Sequence, residues 1–139
     1  MAFEPRRARI LVVDDDPFVL ELLTTRLELA GYQTFSARNG YEALDRLANV
    51  SPAGMILDIN MPRLDGFGVL RSMKSVTSAR IPTMVLTARN QPEDVRTALQ
   101  LGAVDYLTKP FDDRQLLVRV ARLLRGNCKP DKPVSAALI

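Results

Sequence analysis

The stretch ILVVDDDP, residues 10–17, decides the architecture. Its first four residues are apolar without alternation, as a strand covered on both faces of a parallel sheet requires. Three acids follow at once, and Asp16-Pro17 reads as a helix N-cap followed by the first helical residue. A buried strand therefore opens into an acidic turn, and a helix departs from it. The same grammar recurs further along. Met55-Ile-Leu57 runs into Asp58, Thr83-Met-Val-Leu86 into Thr87, and Val104-Asp-Tyr-Leu-Thr108 into Lys109-Pro110.

The helical segments fit between these runs. After Pro17 a helix carries Leu22, Leu23, Leu27 and Ala30 on one face, and Gly31 ends it. Gln33–Ser36 reads as a short edge strand. Asn39–Ala48 is a helix with Ala43, Leu44 and Leu47 inward. Ala53–Leu57 is the third strand, and Gly66–Ser75 a helix entered through Pro62 and Asp65-Gly66. After the fourth strand, Pro82–Leu86, a helix starts at Asn90-Gln-Pro92, runs to Leu101 and stops at Gly102. Val104–Leu107 is the fifth strand. Asp112 caps the last helix, with Gln115 completing a capping box. That helix runs to about Arg125 and turns Leu116, Leu117, Val120, Leu123 and Leu124 to the core. Strands and helices alternating in this way predict an α/β fold, a parallel sheet with right-handed crossovers. The expected organisation is a basic N-terminal arm over 1–8, one domain over 9–125, and a tail or linker start over 126–139.

Composition narrows the chemistry. At 139 residues, 47% apolar and 25% charged, the chain suits one globular domain. No apolar stretch approaches a membrane span, and the N-terminus lacks the apolar segment of a signal peptide. One cysteine, Cys128, excludes an internal disulfide and points to a reducing cytoplasm. The absence of histidine excludes Ser-His-Asp and Cys-His nucleophiles and nearly every zinc site. The net charge of +3 sits at the ends. Arg6, Arg7 and Arg9 against Glu4 give +2, Lys129 and Lys132 against Asp131 give +1, and residues 10–125 are neutral. A DNA reader places its basic stripe on a folded element, so no direct nucleic-acid contact by this domain is expected.

At the carboxyl edge of an open parallel sheet, where such folds bind ligands, the strand ends would bring together Asp14, Asp15, Asp58, Thr87 and Lys109. Each has an ordinary reading by itself: turn solvation for the acids, a loop hydroxyl, a surface lysine. Four independent coincidences at four strand ends explain the set poorly. Two carboxylates about 4 Å apart repel by about 4 kcal/mol at an effective dielectric of 20. Three in one pocket therefore call for a dication. Mg²⁺ takes oxygen ligands and offsets phosphoryl charge, a carboxylate is a competent nucleophile, and a lysine adds a second cation. Tyr106, by itself, reads as a half-buried strand aromatic.

These pieces, ILVVDDDP (10–17), MILDINMPRLDG (55–66), MVLTA (84–88) and DYLTKPF (105–111), resemble the receiver domain of bacterial response regulators over about residues 9–125. The resemblance implies a flavodoxin-like doubly wound five-stranded sheet, order 2-1-3-4-5, with five helices. It implies that Asp58 accepts a phosphoryl group from a sensor histidine kinase or a phosphotransfer protein. It further implies a Mg²⁺ site, with Mn²⁺ as an alternative, formed by Asp14, Asp15, Asp58 and the backbone carbonyl of Asn60. Thr87 and Lys109 would bind the phosphoryl group, Lys109-Pro110 would be cis, and Tyr106 would be a rotameric switch turning inward behind Thr87. Shifting a two-state equilibrium from 1:99 to 99:1 takes about 5.5 kcal/mol, and one charge-assisted hydrogen bond gives about 1.5–3, so Thr87 alone is insufficient. The readout would be the face of the fourth helix, fifth strand and fifth helix, contacting a downstream output protein or domain. On this reading the chain catalyses only its own phosphorylation and dephosphorylation.

Transcription-factor receivers that dimerise through that face carry a ladder of ion pairs. Arg89, Asp94, Arg96, Asp105 and Arg119 could serve it, but Gln100, Val104 and Gln115 replace usual acids. A monomer, or a weak phosphorylation-dependent dimer, is expected. Alternative readings are a haloacid-dehalogenase-like phosphohydrolase, on the strength of Asp58-Ile-Asn60, a degenerate receiver used only for binding, and a receiver fragment of a longer regulator with DNA-binding or enzymatic output. The acidic pair preceding the nucleophile and the lack of a cap domain count against the first, and the intact acids, Thr87 and Lys109 against the second.

Overall fold

A computed structural model describes residues 7–126. Cys128, the 127–139 segment and most of the N-terminal arm lie outside the described residues. The element order is β1 (Arg9–Val13), α1 (Pro17–Leu29), β2 (Gln33–Ala37), α2 (Gly40–Asn49), β3 (Gly54–Leu57), α3 (Gly66–Val76), β4 (Thr83–Thr87), α4 (Pro92–Gln100), β5 (Asp105–Thr108) and α5 (Asp113–Leu124). The five strands form one parallel sheet ordered β2-β1-β3-β4-β5. The order expected from the family resemblance is the order found.

Alternate residues of each central strand feed two separate cores. Leu11, Val13, Met55, Leu57 and Val85 face α2, α3 and α4 and meet Ala43, Leu47, Val69 and Ala98. Ile10, Val12, Ile56, Met84 and Leu86 face the other way, onto Leu20, Leu23 and Leu27 of α1 and Leu116, Val120 and Leu123 of α5. This is why the central strands are apolar throughout: there is no solvent face to alternate with.

Four of the five described helix starts are fixed by side-chain caps, whereas α4 begins at Pro92 without one. Asp16 Oδ1 accepts from Phe18 N at 2.9 Å, and Asn39 Oδ1 from Glu42 N at 2.9 Å. The capping box at Asp112 and Gln115 forms as the sequence predicts. Gly31 and Gly102 follow helices at φ +100° and +112°, in the left-handed region that glycine enters without cost. α1 requires a correction. Leu22 and Ala30 are exposed, and Leu20 takes their place in the core with Leu23 and Leu27. At 100° per residue Leu22 lies about 160° around the helix from Leu20, so one face cannot hold both. Ala30 sits at the C-cap, past the last helical turn.

Candidate functional site

β1 lies between β2 and β3, so the chain changes direction across the sheet there, and a crevice opens beyond the carboxyl ends of β1 and β3. Asp14 and Asp58 project from those two ends. Their backbones extend the ladder by one step each, Asp14 N donating to Ala37 O at 3.1 Å and Asp58 N to Val13 O at 3.0 Å. Both are buried, at 1% and 5% exposure, whereas Asp15 faces solvent. One carboxylate oxygen from each of Asp14, Asp15 and Asp58 lies within 4.8 Å of the others. Asp16 is not part of this cluster, because its side chain caps α1.

Lys109 reaches across from the end of β5. Its Nζ donates to Asp14 Oδ2 at 2.8 Å and to Asp58 Oδ2 at 3.2 Å. Backbone amides hold the other oxygens: Asp16 N donates to Asp14 Oδ1 at 2.9 Å, and Asn60 N to Asp58 Oδ1 at 3.2 Å. Burial raises the pKa of Asp14, with the Asp58 charge adding to the rise, against the lowering effects of Lys109 and the Asp16 amide. Burial works against the charged form of Lys109, but the hydrogen bond to Asp14 and the charge of Asp58 outweigh it and hold that amine above its usual range. Three oxygen donors of this kind fit a hard divalent cation, which would relieve a mutual repulsion of about 3–4 kcal/mol per close pair.

The remaining expected residues surround this cluster. Thr87 is fully buried at the end of β4, and its carbonyl accepts from Lys109 N at 2.8 Å. The Lys109-Pro110 bond is cis. Tyr106 is 1% exposed, not half-buried, and its hydroxyl donates to the Arg89 carbonyl at 2.8 Å. It lies inward in this structure. Burial, reinforced by the charge of Asp94, pushes its phenol up to about 12.

Arg89 belongs to the site's surroundings in a way that sequence reasoning missed. Its guanidinium donates to Asp94 Oδ1 at 2.7 Å and to Asn60 Oδ1 at 3.3 Å, and lies 5.5 Å from the centre of the Phe67 ring. The bond to Asp94 raises the pKa of Arg89 further. One residue thus links the β3–α3 loop, α4 and the Tyr106 hydroxyl. The only sequence signal was its place two residues after Thr87.

Comparison with known proteins decides the family. Residues 10–121 match the response regulator receiver domain. The chain belongs to that family. It is 46% identical over 130 residues to the response regulator MprA of Mycobacterium sp. (strain KMS), covering 94% of this chain and 56% of that protein. It is 42% identical over 128 residues to a CpxR-homologous transcriptional regulatory protein of Haemophilus influenzae, covering 92% and 55%. This receiver therefore spans little more than half the length of those relatives. Among solved structures, the Vibrio cholerae chemotaxis protein CheY4 superposes with a TM-score of 0.79 at 31% identity, over 85% of this chain and 99% of that one. The receiver domain of a signal transduction histidine kinase from Syntrophus aciditrophicus gives 0.77 at 42% identity, over 86% and 91%. The receiver is thus a module of two-component signalling, and the phosphohydrolase alternative falls away. No described helix is long and apolar enough to cross a membrane.

Proposed function

We propose that Asp58 is the phosphoacceptor of a two-component phosphorelay and that a divalent cation, Mg²⁺ or Mn²⁺, is held by Asp14, Asp15, Asp58 and the Asn60 carbonyl. The observation that carries this is the convergence on Asp58 of two further carboxylates and the Lys109 ammonium, from two other strand-end segments. A bound dication supplies charge neutralisation for the incoming phosphoryl group and relieves the clustered carboxylates. An Asp58 oxygen attacks the phosphorus of a phosphohistidine on a sensor histidine kinase or phosphotransfer protein. A P–O bond forms, the P–N bond breaks, and its electron pair returns to the imidazole nitrogen, which takes up a proton. The product is an acyl phosphate. Lys109, already 3.2 Å from Asp58, exchanges a carboxylate partner for a phosphoryl oxygen, and the Thr87 hydroxyl donates to another.

Those new bonds act on the switch. Thr87, Arg89 and Tyr106 sit on adjoining strands β4 and β5 and the loop between β4 and α4, so a pull on the Thr87 hydroxyl bears on the Tyr106 hydrogen bond and on α4. The α4-β5-α5 face carries the result to an output domain or partner protein. The relatives, a response regulator and a transcriptional regulatory protein, support such an output. The receiver works in the cytoplasm, spans residues 9–125 between a basic arm and a tail or linker start, makes no nucleic-acid contact of its own, and turns over no substrate beyond its own phosphoryl group.

The test is mass spectrometry after incubation with acetyl phosphate and Mg²⁺. One phosphoryl mass should be added, Asp58→Asn should abolish it, and excess chelator should suppress it. Labelling of Asp58→Asn at the wild-type rate would overturn the assignment.

A further inference from the structure

The opposite edge of the sheet carries a groove that phosphoryl chemistry does not use. It lies at the amino end of β4, between the last turns of α3 and the α4–β5 turn, with a volume of about 580 Å³. That falls in the range of small-molecule sites, about 300–1,000 Å³. Leu70 and Ile81, both buried, form its floor with Met73 and Leu101. Lys74 and Arg80 stand at its rim, exposed. No lining residue is acidic.

The cations at this groove have no acidic partner among the described residues. Among the described residues, four of the five ion pairs involve Arg26, Arg89 and Lys109, and the fifth joins Arg119 to Asp105. Lys74 and Arg80 make neither an ion pair nor a side-chain hydrogen bond with any described residue. Two uncompensated cations beside an apolar floor attract an anion that also has apolar surface to bury. Beyond Arg80 a second hollow of about 400 Å³ shares Arg80, Ile81 and Gly102 with the first, and it is floored by Pro82, Val104 and Leu123. Arg80 thus stands between two apolar hollows, where a carboxylate at its guanidinium leaves room for a chain on either side. A guanidinium fork binds a carboxylate in two parallel hydrogen bonds. The volume suits a small molecule; a protein partner would need about 800 Å² of contact on its own side.

We propose that this groove is a binding site for a small amphipathic carboxylate, its head between Arg80 and Lys74 and its apolar chain on Leu70, Met73, Ile81 and Leu101. The site lies at the far end of β4 from Thr87 and at the far end of α4 from the Arg89–Asp94 pair. Its occupant would therefore brace α3 against α4 from the side away from Asp58. Binding needs neither a divalent cation nor an intact phosphoacceptor, so it stands or falls separately from the function proposed above.

The experiment is a ¹H–¹⁵N NMR titration of the full chain in excess chelator, with octanoate as probe and octanol and acetate as controls. Octanoate should shift the amides of Ser78–Thr83 and Leu101–Gly102 saturably. Octanol lacks the charge and acetate the chain, and each should bind about tenfold more weakly, the loss expected for one charge-assisted hydrogen bond or a comparable apolar burial. Arg80→Gln and Lys74→Gln should each weaken octanoate several-fold with unchanged melting temperature, since both side chains are exposed. Equal binding of octanol would show a merely greasy surface and overturn the proposal. So would shifts centred elsewhere, no binding to the full chain, or an Arg80→Gln variant with wild-type affinity.

Discussion

Asp14 exists at the expense of stability. Its folded pKa lies above the unfolded value, so the native state holds the proton more tightly, and stability falls as pH rises through that interval. At neutral pH the ionised side chain is a net cost, which the proposed dication would reverse. Asp14→Asn is therefore expected to raise the melting temperature in chelator by a few degrees and to lack the stabilisation that millimolar Mg²⁺ is expected to give the wild type; calorimetry with and without the ion measures both. Tyr106 supplies a second pH signature with the same sign. Its phenol ionises near 10 when unfolded and at about 12 when folded, so stability is lost as pH rises between those values. Two units correspond to about 2–3 kcal/mol. Tyr106→Phe should lose the 2.8 Å bond to Arg89, about 1 kcal/mol at neutral pH, yet show the shallower loss above pH 10 in urea titrations. The acids and Lys109 were legible in the sequence because each directly ends an apolar run. The Arg89 contacts were not: a loop arginine's partners, Asn60 and Asp94, depend on where two other elements lie, and nothing in the local pattern encodes that.

Element ends were readable because their signals are local, whereas the strand order came only from the resemblance to the receiver family. Asp16-Pro17, Asn39, Asp112 and Gly31 each act within a few residues, and the caps form where the sequence puts them. The face of α1 was misread because Leu20, Leu22, Leu23 and Leu27 admit two stripes, and only the position of the sheet selects one. The rejected stripe leaves Phe18 at 83% and Leu22 at 41% exposure, one helical turn apart, beside the acidic turn. An apolar landing next to Asp58 suits a protein phosphodonor and is irrelevant to a small one. Phe18→Ser should slow phosphotransfer from a kinase about tenfold and leave acetyl phosphate labelling and melting temperature unaltered. Equal loss with both donors would mean that α1 itself is disturbed. The β3–α3 connection is constrained from inside instead. A Cβ on Gly66 would lie 2.4 Å from the Asp58 carbonyl and 2.8 Å from Ile59 Cα, both backbone atoms with little freedom to yield. Gly66→Ala should cost about 1–3 kcal/mol in urea unfolding and slow Asp58 labelling, because relief of the clash moves the proposed phosphoacceptor's own peptide.

At the scale of the molecule, the α4-β5-α5 face is already spoken for within the chain. The sequence offered Arg89, Asp94, Asp105 and Arg119 as rungs of an intermolecular ladder. In the structure Arg89 pairs with Asp94 at 2.7 Å and Arg119 with Asp105 at 2.6 Å. A second copy would have to share or break these bonds, and a partly desolvated pair loses more when broken than a rim pair returns. The exposed apolar contribution on α5 is Val118, at 49% exposure, too little for an apolar interface by itself. Residues 10–125 carry no net charge, so there is no long-range attraction between copies either. The untreated chain should therefore sediment as a monomer. On the proposed function, beryllofluoride with Mg²⁺ would stand in for the phosphoryl group at Asp58 and pull on Thr87 and Lys109, and through them on the Tyr106–Arg89 bond. Release of Arg89 from Asp94 would then free both for partners in another molecule. The expected result is a shift towards a weak dimer whose affinity falls with salt, as exposed ion pairs require. A tight dimer without beryllofluoride, indifferent to salt, would mean that apolar contacts outside this face govern assembly.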